Sequence, residues 1–396
     1  MRILIADKLS ATCASALADL GLEVIEKPDL TAEQIPNALE GVGALVVRST
    51  RVTADALEQG QDLCLVIRAG AGVNTIDLPA ASKRGIYVAN CPGKNTAAVA
   101  ELTIGLLVAA DRQIVNATLA LRNGSWEKKR FGSAAGLRGR TLGILGFGAI
   151  GFAVAERARA LGMNILVWSR SLSQDAAPAW IEVAQSPHEI AGKADAITLH
   201  LALSEKTKHI VDGKFLADVK PGAILINAAR GELVDSEALT AAISEKNLRV
   251  GLDVFENEPV GGKADFVNLD LVQHITGTPH IGASTSEASE AIASEVVRIV
   301  SIFMVTGRPP LAVNLCEQGK SACNLVVRHL NRVGVLAGLL DGLRQEGINV
   351  EEMDNVIFAG GEAACCSLLL SAEPSRMLMD SLDAQAEILS SAIRNC

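Results

Sequence analysis

One short motif constrains this chain more than any other. Gly146-Phe147-Gly148-Ala149-Ile150-Gly151 follows directly on the apolar run Thr141-Leu142-Gly143-Ile144-Leu145. The first glycine permits a tight turn, the second lets a pyrophosphate approach the backbone, and the third lets helix and strand pack closely. The N–H groups of the helix that follows, Phe152 to Leu161, then face the phosphates. A glycine loop between an apolar strand and a helix is the context in which this motif binds a dinucleotide. Gly146, Gly148, Ala149, Ile150 and Gly151 are therefore candidate cofactor contacts.

The same alternation continues through Asn164–Trp168, Ala196–Leu199, Ala223–Ile226, Arg249–Leu252 and His274–Thr276. Six strands with helices between them describe a doubly wound, Rossmann-type domain. The second strand ends Val167-Trp168-Ser169-Arg170, without the acidic residue that would accept from the adenosine ribose. Ser169 is a weak acceptor there, and Arg170 suits a 2′-phosphate. These residues permit NADP as well as NAD.

Before this domain, strands at Ile3–Ala6, Ala44–Val47 and Leu63–Ile67 alternate with helical patterns, which predicts a second parallel sheet. A long apolar helix is expected from Ala97 to Leu121, stopping near Asn123-Gly124. Ser284 and Glu287 offer a capping box for a helix running to about Val305. A polar linker, residues 316–321, precedes a small module over residues 322–396. Its pattern is strand (Asn324–Val327), helix (Gly334–Gln345), strand (Ile348–Phe358), strand (Ala363–Leu370), helix (Ser375 to Ile393).

Composition narrows the function. The chain has 396 residues, 49% of them hydrophobic, so disorder is excluded. Net charge is −9 and aromatics are 3%, which argues against nucleic acid as a partner. An anionic substrate must then be drawn by local Lys and Arg. The eight cysteines include no C-x-x-C pair and read as reduced, mostly packing residues. No metal site is expected. The opening run breaks at Asp7, too early for a secretory segment, and no apolar run is long enough to span a membrane. A soluble, cytoplasmic protein with no membrane partner is expected.

Three polar residues follow the later strands. Arg230 lies in Asn227-Ala228-Ala229-Arg230-Gly231, Glu258 in Asp253-Val254-Phe255-Glu256-Asn257-Glu258-Pro259, and His280 in Thr278-Pro279-His280-Ile281-Gly282. Ligands of open α/β sheets bind beyond the carboxyl ends of strands. Oxidising a hydroxyl needs a base, and imidazole titrates in the right range. A carboxylate bonded to that imidazole fixes its tautomer and makes it more basic. A guanidinium grips a carboxylate with two parallel bonds. Asp235, Asp253 and His274 are alternatives, Asp253 also as support for a nicotinamide amide.

These segments resemble the D-isomer-specific 2-hydroxyacid dehydrogenases. The resemblance extends through Val47-Arg48-Ser49-Thr50, Arg68-Ala69-Gly70-Ala71-Gly72-Val73-Asn74, Trp126–Phe131 and Pro279–Thr285. It implies Arg230 as substrate anchor, His280 as acid/base and Glu258 as its partner. It implies cofactor contacts at Thr207, Ala228, Asp253 and Gly282 as well as at Ser169 and Arg170, and substrate contacts at Arg48, Ser49, Arg68, Gly72, Val73 and Asn74. Lys128-Lys129-Arg130 is a further candidate for a substrate phosphate. The implied layout is a discontinuous substrate domain (residues 1–95 and 286–316), with the nucleotide domain (residues 96–285) inserted and the cleft between them.

The terminal module resembles the ACT domain, an amino-acid-sensing fold. In serine-regulated relatives, the positions matching His329, Asn331 and Asn349 hold the effector across a domain dimer. The module is expected to end on a helix, where that fold normally adds a strand. The fold class expected is α/β: two doubly wound parallel-sheet domains plus a C-terminal α+β domain. The resemblance is nearest to the phosphoglycerate-oxidising branch. It implies NAD-dependent oxidation of D-3-phosphoglycerate to 3-phosphohydroxypyruvate, the first step of serine synthesis, by a homodimer or homotetramer with L-serine as a potential effector. The alternatives are an NAD(P)H-dependent glyoxylate/hydroxypyruvate reductase and a non-catalytic, NAD-sensing scaffold or corepressor.

Overall fold

A computed structural model describes residues 1–259, 265–266, 269–316 and 322–394. The expected linker beyond Cys316 and the last two residues lie outside these. The chain divides into two compact units, Met1–Asn314 and Leu315–Cys396.

The first unit holds two parallel sheets. One has the order β2-β1-β3-β4-β5, from β1 (Arg2–Ile5), β2 (Glu23–Glu26), β3 (Ala44–Val47), β4 (Leu65–Arg68) and β5 (Tyr87–Asn90). The other has the order β12-β11-β10-β9-β6-β7-β8. Its strands are β6 (Thr141–Leu145), β7 (Asn164–Trp168), β8 (Ile181–Val183), β9 (Ala196–Leu199), β10 (Ile224–Asn227), β11 (Arg249–Leu252) and β12 (Ile275–Gly277). Central strands such as β3, β9 and β10 are buried throughout because helices cover both faces of a parallel sheet. β2, β5 and β8 escaped the sequence reading: β2 and β8 are short edge strands, β2 with a Glu at each end, and neither carries such an apolar run. Strand order in the second sheet reverses between β9 and β6, which opens a crevice at their carboxyl ends.

The helix Ser286–Thr306 leaves the second sheet and returns to the first. Its Ile292, Val296, Ile299 and Val300 share one core with Ile3, Val46 and Ile67. Its cap is Thr285, which accepts from the Ala288 N–H at 3.1 Å, one residue after the expected Ser284. The single helix expected from Ala97 to Leu121 is two, Thr96–Arg112 and Ile114–Arg122, parted by Gln113 at φ 50°. The first buries one face, while the second buries no residue at all. Both are rich in Ala and Leu, so composition did not mark the break.

The second unit is a four-stranded antiparallel sheet, β14-β15-β13-β16, from β13 (Cys323–Leu330), β14 (Val350–Ile357), β15 (Ala363–Leu370) and β16 (Ile388–Arg394). The helices Val335–Gln345 and Arg376–Asp383 complete it. The expected terminal helix over Ser375–Ile393 is therefore corrected: its second half is β16. Local helix propensity yields there to pairing with the open edge of β13, Leu325 against Ile393 and Val326 against Ala392.

Candidate active site

The glycine loop leaves β6 with Gly146 at φ 99°. A Cβ on Gly146 would lie 2.3 Å from the His200 carbonyl oxygen, and one on Gly151 would lie 2.2 Å from the Gly146 carbonyl oxygen. Gly148 differs, since nothing lies within 4 Å of its Cβ position. Gly148 also starts the helix Ala149–Ala160 without any side-chain cap. The open approach at Gly148 and the uncapped N–H groups of Ala149, Ile150 and Gly151 fit a dinucleotide pyrophosphate. Ser169 and Arg170 follow β7, with Arg170 exposed. Thr207 is turned inward: its hydroxyl donates to the Ala202 carbonyl at 2.7 Å and accepts from the Ser204 N–H at 2.8 Å. Ala228 is buried just after β10.

Three loops at the carboxyl ends of β10, β11 and β12 bring the expected residues Arg230, Glu258 and His280 together. Asn227 is buried; its side chain donates to the Arg230 carbonyl at 2.8 Å and accepts from the Ala229 N–H at 3.0 Å, which shapes the turn that presents Arg230. Arg230 Nη2 stands 2.5 Å from the Cβ position of Gly72, with Asn74 Oδ1 at 3.2 Å. The guanidinium therefore lies on the backbone of the loop after β4. Gly231 is obligatory: a Cβ there would meet the Phe255 carbonyl at 2.0 Å.

His280 Nδ1 is 2.6 Å from Glu258 Oε2, and Glu258 Oε1 accepts from the Phe255 N–H at 3.0 Å. Burial alone would raise the Glu258 pKa. The hydrogen bond and charge of His280, the Phe255 N–H and nearby Arg230 outweigh burial and hold the carboxyl below its usual range. His280 adopts φ 53°, a left-handed conformation its neighbours enforce. Its N–H donates to the Asp253 carbonyl at 2.7 Å. The buried Asp253 carboxylate accepts from Thr278 Oγ1 at 2.6 Å and from the N–H groups of Ile281 and Gly282, each at 2.8 Å. Asp253 thus holds the histidine loop. Asp235 instead caps the helix Ser236–Lys246 through the Ala238 N–H. His274 precedes β12, at the wrong end of the strand.

Arg48 follows β3 and Arg68 ends β4 of the first sheet. Burial, then the charges of Arg230 and Arg48, push Arg68 down to about 10. Its Nε is buried and unpartnered. Arg48 donates to the Ala283 carbonyl at 3.4 Å. The loop it starts is pinned by Asp7, a residue the sequence reading missed, which accepts from the N–H groups of Arg48, Ser49 and Thr50 at 2.7, 3.1 and 3.0 Å. Gly72, Val73 and Asn74 form the loop under Arg230. Lys128, Lys129 and Arg130 sit on a short exposed helix, where Arg130 pairs with Glu127 at 2.9 Å.

In the second unit, His329 is 2% exposed. Its Nδ1 meets the Leu330 carbonyl at 2.8 Å and its Nε2 meets Asn355 Oδ1 at 3.1 Å. Asn331 donates to the Gly361 carbonyl at 2.9 Å. Asn349 lies beside Ser371, at the other end of β15 from the Ala364 that pairs with His329. One copy of the chain therefore does not bring these three residues together.

A two-sheet frame with a glycine-loop crevice and an arginine–glutamate–histidine centre is the architecture of a nucleotide-dependent dehydrogenase. Residues 104–282 match the family described as D-isomer specific 2-hydroxyacid dehydrogenase, NAD binding domain. The chain is 38% identical to hydroxypyruvate reductase of Thermotoga maritima over 299 residues, 75% of this chain and 96% of that one. It is 41% identical to D-3-phosphoglycerate dehydrogenase of Methanocaldococcus jannaschii over 299 residues, 75% of this chain. The matched region is 56% of that relative, so the chain spans a little over half of that protein's length. The structure of NAD+-bound 3-phosphoglycerate dehydrogenase of Entamoeba histolytica superposes with a TM-score of 0.67 at 26% identity, covering 80% of this chain and 99% of that one. The chain belongs to the D-isomer-specific 2-hydroxyacid dehydrogenases. No described helix is long and apolar enough to cross a membrane.

Proposed function

We propose that the protein oxidises D-3-phosphoglycerate to 3-phosphohydroxypyruvate with NAD. The observation that carries this reading is the 2.6 Å His280–Glu258 pair with Arg230 beside the carboxylate, and a buried Arg68 that feels the charges of both Arg230 and Arg48. Arginines so placed need an anion, and a substrate bearing both carboxylate and phosphate satisfies more of them than a simple 2-hydroxy acid. His280 has Nδ1 engaged by Glu258, which leaves Nε2 to take the C2 hydroxyl proton. Arg230 holds the carboxylate and polarises the oxygen that becomes a carbonyl. Arg48 and Arg68 take the phosphate. NAD, when bound along the Gly148 face, supplies the acceptor for the C2 hydride. Residues 1–95 with 286–316 form the substrate domain in this reading, and residues 96–285 the nucleotide domain.

The second reading is a glyoxylate/hydroxypyruvate reductase. The specific observation for it is the exposed Arg170 after β7, where NAD-specific sites carry an acid. A scaffold without catalysis is the third, and any turnover removes it. Initial rates with D-3-phosphoglycerate, NAD and NADP in parallel, separate the first two. Faster oxidation with NAD supports the main reading. Rapid NADPH oxidation by hydroxypyruvate, without phosphoglycerate turnover, supports the second.

A dimer fits the exposed apolar row Ile114, Val115, Leu119 and Leu121 on a helix that buries nothing, next to Trp126 at 81% exposure. The separation of Asn349 from His329 and Asn331 suits an L-serine site completed by a second copy. Serine inhibition abolished by Asn349→Ala supports that role.

A further inference from the structure

The turn that carries Glu258 also holds a second histidine–carboxylate pair, which the reaction above does not use. His209 Nε2 lies 2.6 Å from Glu256 Oε1. Glu256 Oε2 accepts from the N–H of Ser236, the first residue of the helix Ser236–Lys246, at 3.0 Å. His209 stands at φ 51°, with its N–H donating to the Glu232 carbonyl at 2.9 Å. Glu256 therefore joins three segments: the loop after β9, the start of that helix and the loop after β11.

Only Asn257, at φ 56°, separates Glu256 from Glu258. The two carboxylates of one tight turn thus reach different partners, Glu256 toward His209 and Glu258 toward His280. The turn is also backed by Gly231, which leaves no room for a methyl group against the Phe255 carbonyl. A turn this short cannot release one end and keep the other in register. We infer that His209 and Glu256 are positioning residues, clamping the turn so that Glu258 stays hydrogen-bonded to His280. The inference rests on the dehydrogenase reading of Arg230, Glu258 and His280. Its physical basis is that the carboxylate fixes the tautomer and direction of the imidazole, and a displacement of about 1 Å costs a large factor in rate.

Among the described residues, His280 faces Glu258, with Arg230 beside that carboxylate; the Asp253 carboxylate binds the loop's N–H groups rather than the ring. His209 faces Glu256, and Glu232 reaches it through its backbone. Glu256→Gln is the informative change, because it keeps an acceptor for the Ser236 N–H and removes the carboxylate charge that faces His209. Two measurements decide the matter. The first is the downfield proton resonance of His280 Nδ1–H, assigned by its loss in His280→Gln. It should broaden or move upfield in Glu256→Gln. The second is kinetics: kcat should fall about ten-fold while KM and cofactor affinity change less than about two-fold. His209→Gln should do the same, and the double variant should be no worse than either single one. If Glu256→Gln does not fold, His209→Gln carries both measurements.

A lowered melting temperature with unchanged resonance and kcat would make the pair merely structural and overturn the inference. A wild-type protein without turnover on any 2-hydroxy acid would instead overturn the functional reading. The resonance of His280 would still decide, without catalysis, whether the pair positions it.

Discussion

Arg68 is the residue whose environment most demands a ligand. Its Nε has no partner, and burial beside Arg230 and Arg48 disfavours its charge. Arg68→Ala should raise KM for the phosphorylated substrate about thirty-fold, the worth of about 2 kcal/mol for a charge-assisted bond, with a smaller change in kcat. His280→Ala should behave oppositely. Turnover should fall about 10²–10⁴-fold, with NAD affinity by fluorescence titration nearly unchanged. Arg230, Glu258 and His280 were legible in the sequence because each follows an apolar strand at the sheet's carboxyl edge. Asp7 and Asn227 were not. Apart from the Thr50 hydroxyl on Asp7, their partners are backbone N–H and carbonyl groups, which are present at every position and leave no mark on the sequence.

At the scale of elements, three tests bear on how loops and helices hold the site. Gly231→Ala must displace the Phe255 peptide, so it should disturb Arg230 and Glu258 together and lower kcat about 100-fold. Gly148→Ala meets no protein atom, so it should leave the melting temperature unchanged and weaken only NAD binding. The helix Ser286–Thr306 carries buried Glu295, paired with Arg298 at 2.6 Å and Lys94 at 3.0 Å. The hydrogen bond from Arg298 leads in holding its pKa below the ordinary value, with burial opposing and Lys94 assisting. A depressed carboxylate pKa stabilises the fold above the unfolded value of about 4.3, and that contribution is lost as pH falls through the lower folded value. Thermal midpoints should therefore drop more steeply below about pH 4.3 in the wild type than in Glu295→Gln. Among the elements, buried strands declared themselves by continuous apolar runs. β16 did not, because its residues suit a helix and only the open edge of β13 makes them a strand.

At the scale of the whole molecule, the fold class was readable because strand–helix alternation repeats along the first unit and gives way to antiparallel pairing in the second. The relation between copies was not, since an exposed apolar row looks the same in sequence as a buried one. Leu119→Lys with Leu121→Lys should leave the circular dichroism unchanged and lower the mass found by sedimentation. An unchanged mass would contradict the proposed dimer through this row. In the proposed reading, the anion-hungry centre at His280 oxidises a phosphorylated 2-hydroxy acid. The most direct test is the initial rate of NAD reduction by D-3-phosphoglycerate at mildly alkaline pH, set beside the rate with D-glycerate. Turnover is expected with the phosphorylated acid, and kcat/KM at least about ten-fold lower without the phosphate. Equal rates, or none with the phosphorylated acid, would contradict it.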